Sequence, residues 1–119
     1  MQYMLMIYYD EEQWAQLPEA QREKIMQESD AFGQGIVTSG HFRASARLQP
    51  TSMATTVCEK SGKRLITDGP FAETKDQLGG LLLIECKDLD AAISIAARFP
   101  TVRLGGAIEV RPVMPPSAR

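Results

Sequence analysis

Hydrophobic and polar positions along this chain follow two periods. Residues 3 to 9, YMLMIYY, contain no charged side chain. In a strand Tyr3, Leu5, Ile7 and Tyr9 face one side, and Met4, Met6 and Tyr8 the other. A strand apolar on both faces is usually central and covered twice. Helices can supply one cover and a second subunit the other. The period then changes over DEEQWAQLPEAQREKIMQESDAFGQGIVTSG, where Ile25, Phe32 and Ile36 recur at roughly helical spacing, with Met26 and Val37 beside them. Pro18 suits the first turn of that helix, and Glu19 and Glu23 suit its positive end. Gly40 is a natural stop. EEQWAQ, ahead of Pro18, reads as a separate turn of helix. Trp14 there is expected to cap the core, with ligand stacking as the alternative.

Further on, HFRASARLQP reads as a short strand and exit loop. TTVCE and RLIT are joined by Lys60-Ser61-Gly62-Lys63 and predict a hairpin, with Gly62 supplying the positive φ. GGLLLIEC predicts a buried strand. CKDLDAAISIAARFP predicts a helix capped by Asp88, with Leu89, Ile93, Ala96 and Phe99 as its apolar stripe and Pro100 as its end. AIEVRPV, residues 107 to 113, predicts the last strand, and residues 114–119 a flexible tail. With the hairpin set aside, the order is βαββαβ, the ferredoxin-like α+β sandwich. Its helices cover one face of an antiparallel sheet. The other face is bare in a monomer, and dimerisation is the economical way to bury it.

Composition narrows the class. The chain has 119 residues, 44% apolar and 24% charged, which suits a single domain over 1–119 with a real core. A net charge of −2 gives no pull towards nucleic acid or anionic lipid. The longest apolar run is too short to cross a bilayer. The N-terminus lacks the basic region and cleavage site of a signal peptide, so the cytoplasm is the expected compartment. Cys58 and Cys86 are far apart and read as incidental, and a single histidine argues against a His-rich metal site. No metal or cofactor is expected. Arg43, Arg47, Lys60, Lys63 and Arg64 read as protection of strand edges.

The densest chemistry lies in DGPFAETKDQLGG, residues 68 to 80. Aspartate often accepts from the backbone N–H two residues on. That residue is Pro70, which has none. The Asp68 carboxylate must therefore turn to Phe71 N–H, a neighbouring strand or a ligand. Gly69 and Pro70 make the turn rigid, and Phe71 is expected to fold back on the core. Glu73 and Lys75 fall on one side of an extended segment, placed to bind a polar or anionic substrate with Arg43. Gly79 and Gly80 allow close approach of a strand or a ligand. His41 is the only histidine and invites a general-base reading, with Asp68 as its partner if the two are adjacent. The bland reading of the whole stretch is a structural loop with a solvated charge run.

DGPFAETKDQLGG, the following LLLIECKDLDAAISIAARFP, the closing GAIEVRPV and the opening YMLMIYYDEEQWAQL together resemble the DGPF group of YCII-related proteins over nearly the whole chain. The resemblance implies a dimeric α+β barrel of ferredoxin-like subunits, a bacterial origin and a genomic link to extracytoplasmic-function sigma factors. It carries over onto Asp68, Gly69, Pro70, Phe71, Glu73 and Lys75. Wider YCII relatives are credited with a His–Asp pair whose histidine lies on the first helix. Here the helix from Pro18 to Val37 has none, and His41 follows it. Two functions are expected on these grounds. One is a cofactor-independent lyase or isomerase using Asp68 for acid–base chemistry on a small molecule. The other is a small-ligand sensor or partner protein linked to sigma-factor regulation. A homodimer whose interface is locked by the DGPF turn is the third, purely structural, reading.

Overall fold

The computed structural model describes residues 1–116. The expected tail, 114–119, lies partly outside the described residues. The order is β1 (Gln2–Tyr9), α1 (Glu11–Gln16), α2 (Glu19–Thr38), β2 (Phe42–Arg47), β3 (Thr55–Lys60), β4 (Lys63–Asp68), β5 (Gln77–Glu85), α3 (Leu89–Ala96) and β6 (Ala107–Pro112), with 3-10 turns at Thr51–Met53 and Pro100–Leu104. Four strands form one antiparallel sheet in the order β2-β5-β1-β6. That is a mixed α+β architecture consistent with the ferredoxin-like order. β3 and β4 form a separate two-stranded arm.

Local chemistry explains most boundaries. Asp10 caps α1 by accepting from Gln13 N–H at 3.2 Å, and Asp88 caps α3 by accepting from Ala91 N–H at 2.9 Å. α2 ends in a Schellman pair, His41 N–H to Ile36 O and Gly40 N–H to Val37 O, with Gly40 at φ +83°. The arm turns on Ser61 and Gly62, both at positive φ, which suits a two-residue hairpin.

The core lies between the helices and one sheet face. Tyr3, Leu5, Leu82 and Ile84 are buried there against Ile36, Ala92, Ile95 and Ala96. Their strand neighbours Met4, Met6, Leu81 and Leu83 lie on the opposite face and are half-buried. α3 corrects the expected stripe. Its inward residues are Ala92, Ile95 and Ala96, while Leu89 and Ile93 are 47% and 48% exposed. The helix is apolar nearly all round, so the pattern alone does not choose a face. Two alanines let it sit close to the sheet.

The arm is the unusual part. Val57 and Ile66 pair across it and are each 64% exposed. The radius of gyration is 16.3 Å, against about 13–14 Å for a compact chain of this length. No described helix is long and apolar enough to cross a membrane.

Candidate functional site

The expected site residues do not converge. Asp68 ends β4 opposite Thr55, is exposed, and takes no side-chain hydrogen bond among the described residues. The turn is instead fastened through Gly69, at φ +97°. Its N–H donates to Ala54 O at 2.8 Å, and its carbonyl accepts from Thr56 Oγ1 at 2.7 Å. Phe71 does not fold back on the core; it is 82% exposed. Gly69, at positive φ, and Pro70 set the turn, and the ring that follows them lies at the surface. Glu73 and Lys75 are exposed, and the segment around them is braced by Thr74 Oγ1 to Asp76 O and by Gln77 Nε2 to Thr74 O at 2.7 Å. His41 lies at the start of β2, its Nδ1 2.7 Å from Ser39 Oγ. Arg43 donates to Gly40 O at 3.0 Å and Phe42 O at 2.8 Å, finishing the end of α2 rather than reaching a pocket. No His, Cys, Asp or Glu side chains gather as a metal-binding group among the described residues.

A cleft of about 720 Å³ opens elsewhere, between α2 and the helix-covered face of the sheet. Its floor includes Ile7, Gly79, Gly80 and Leu82, and α2 supplies Ile25, Met26, Phe32, Gly33 and Ile36. Tyr9 and Trp14 stand together on the lining, ring centroids 6.1 Å apart. Phe99 also lines it, in edge contact with Phe32 at 4.7 Å, and Arg98 lies over the Phe32 ring. A second hollow, on the outer side of α2 by Trp14, Glu19 and Arg22, is shallower and more open.

The glycine pair belongs to this cleft. Gly79 is the extra residue of a bulge: Ile7 pairs with Gly80, and Tyr8 pairs with Leu78. A Cβ on Gly79 would fall 2.0 Å from Tyr9 Cε1, so only glycine lets that ring lie across the strand. Gly80 is a milder case, with an added Cβ 3.2 Å from Ala46 O.

Charged groups on the lining are few. Arg47 Nη2 reaches Asp30 Oδ1 at 3.3 Å, linking β2 to α2, with both side chains well exposed. Arg47 and Asp30 are the charged residues on the described lining. Thr101 Oγ1 is buried and has no hydrogen-bond partner within the described residues. Burial, and next the charge of Glu11, push the Tyr9 phenol above its ordinary range, with Arg47 pulling the other way. Sequence reasoning placed Arg47 on a protected edge and gave Asp30 and Thr101 no role. Only the Gly-Gly pair and Trp14 hinted at this side of the molecule.

The fold and cleft define a small α+β domain with a concave, mostly apolar chamber between helix and sheet. The chain belongs to the YCII-related domain family, whose model matches residues 1–117. It is also 36% identical over 114 residues to an uncharacterised protein of Rhizobium meliloti (strain 1021), spanning 95% of this chain and 92% of that protein.

Proposed function

We propose that this YCII-family chain acts as a homodimer that binds a small molecule in the cleft between α2 and the sheet. The observation that carries the reading is the cleft itself. It is large enough for a metabolite-sized ligand, mostly apolar, and carries one acidic residue, one basic residue and one buried hydroxyl without a partner among the described residues. The test uses Gly33, which lines the cleft and has nothing within 4 Å of an added Cβ. A leucine there adds bulk to the wall with open space at its Cβ and suits a helix better than glycine. A fragment library is screened by ligand-observed NMR against wild type and Gly33→Leu. Hits that bind wild type and vanish in the variant support the site. An absence of hits, or hits indifferent to Gly33→Leu, overturns it.

The dimer rests on two unpartnered surfaces. One is the sheet face carrying Met4, Met6, Leu81 and Leu83; the other is the arm with Val57, Ile66 and Phe71. A two-stranded hairpin is marginal on its own in water, so an apolar arm calls for cover. Acid–base turnover is the second reading. In it the arm of one subunit brings Asp68, Glu73 and Lys75 to its mate, with Phe71 as the anchor. The exposure of Phe71 on a fixed turn favours it. A partner such as an extracytoplasmic-function sigma factor is the rival occupant of that surface. Sedimentation of the purified chain separates the two: a micromolar dimer favours the first, a stable monomer the second.

A further inference from the structure

The polar groups on the cleft are spaced in a way that bears on its ligand. Arg47 closes the edge strand β2, next to Gly80 of β5. Thr101 sits beyond β1, on the β6 side: Gly106, just before β6, donates to Thr101 O at 3.1 Å, and a Cβ there would lie 2.8 Å from Tyr8 O. The sheet order β2-β5-β1-β6 therefore puts two to three strand spacings between them. At about 4.8 Å per strand that is roughly 10–14 Å. Ile7, Leu82, Ile36 and Phe32 are among the apolar residues of the same lining, with Ser29, Gln34 and Ser45 as further uncharged polar ones.

Each end has uncommitted hydrogen-bonding capacity. Arg47 spends a single N–H on Asp30, at 3.3 Å, although a guanidinium has five donors in a planar fork. An exposed pair of this kind is weak, and a carboxylate that takes both edges of the fork outcompetes it. Asp30 already demonstrates the acceptor that Arg47 accommodates. At the far end, Thr101 lines the cleft while its Oγ1 is buried with no hydrogen-bond partner among the described residues, a deficit that a ligand hydroxyl met by rotation of the side chain would relieve.

We infer that the cleft selects a slender amphiphile, with a carboxylate on Arg47, an apolar body along α2, and a hydroxyl or carbonyl at its far end on Thr101. The inference rests on the cleft being the ligand site, as proposed above.

Three probes test it on the full chain: octanoate, octan-1-ol and 8-hydroxyoctanoate. Trp14, the one tryptophan, lines the cleft and reports by its fluorescence. Octanoate is expected to bind wild type at least about tenfold tighter than octanol, the worth of one charge-assisted contact. Arg47→Met brings that ratio to about one while octanol affinity is kept; Arg47→Gln, the less apolar replacement, does the same. The terminal hydroxyl adds a few-fold gain that Thr101→Val removes. Thr101→Val gives up no hydrogen bond among the described residues, so it is expected to fold at least as well as wild type. Equal binding of octanoate and octanol to wild type overturns the ligand class and leaves the site standing. A hydroxyl gain that survives Thr101→Val overturns the far-end contact. If none of the probes disturbs Trp14 at millimolar concentration, the cleft is not a ligand site for such molecules, and this inference falls. Fragment hits sensitive to Gly33→Leu would then show whether the broader reading survives.

Discussion

The Glu11 carboxylate grips Thr51 twice, accepting from its N–H at 2.9 Å and from its hydroxyl at 2.6 Å. Forty residues separate the two in sequence, and the contact fixes the first turn of α1 to the point where the chain leaves β2 for the arm. Gln77 Oε1 completes the clamp by accepting Glu11 N–H at 2.9 Å. The arm is thus held at its root even though its strands are exposed. Glu11→Gln keeps the shape and removes the charge. It should cost about 1–2 kcal/mol, since hydrogen bonds to charged groups exceed neutral ones by about that much. Calorimetry would read this as a fall of roughly 3–8 °C in Tm. Amide exchange should speed up at Thr51 and its neighbours while the β1 amides stay protected. An unchanged Tm would mean the clamp is decorative.

Two glycines on the same cleft should respond in opposite directions. Gly79→Ala drives a methyl into the Tyr9 ring and should cost about 1–3 kcal/mol as overpacking. The displaced ring abuts Trp14, so the tryptophan emission should move as well. Gly33→Ala meets nothing and sits inside α2, where replacing glycine by alanine gains about 0.5–1 kcal/mol. Paired thermal melts decide the matter: two variants that shift the same way would refute the packing argument at one of the glycines.

Much of the frame was readable because each signal was local. EEQWAQ marks α1 by its proline boundary, and Ser61-Gly62 marks the arm by turn chemistry. The face of α3 was not readable, because Leu89, Ile93 and Ile95 carry the same hydrophobicity and only the sheet decides among them. The cleft was less readable still. Arg47 and Asp30 meet across two elements 17 residues apart, and nothing in either stretch says which strand edge faces which helical turn. The DGPF stretch drew attention through its chemistry, yet Asp68 and Phe71 lie exposed on a turn away from the cleft, and that placement depends on how the arm leaves the sheet.

Tyr9 offers a pH test of the cleft's electrostatics. Burial and then Glu11 raise its phenol above the ordinary value of 10.0. A phenol whose folded pKa is raised is held neutral by folding. Its stabilising contribution is full below 10.0 and is lost as pH rises from there through the folded value. Alkaline denaturation of wild type should therefore steepen above that point, and Tyr9→Phe should remove that component. Glu11→Gln should bring the Tyr9 titration back towards 10.0, as followed by phenolate absorbance. A Tyr9 titration indifferent to Glu11→Gln would show that burial alone sets it.

The arm leads to the last prediction. Val57, Ile66 and Phe71 are large apolar side chains left mostly to solvent. If a second copy covers them, Tm must rise with protein concentration, because association stabilises only the folded chain. Phe71→Ser and Ile66→Ser should then dissociate the dimer in sedimentation. In the monomer they should change stability by no more than about 0.5 kcal/mol, as exposed positions do. Asp68 sharpens the test. Its carboxylate has no side-chain partner among the described residues, so Asp68→Asn should not move the Tm of a monomer. A loss of several degrees in the dimeric protein that disappears in a Phe71→Ser background would be a coupling between two side chains, present only when subunits meet. Asp68 would then act across the interface. Equal effects in both backgrounds would return it to its own turn, and a Tm independent of concentration would remove the arm from the interface altogether.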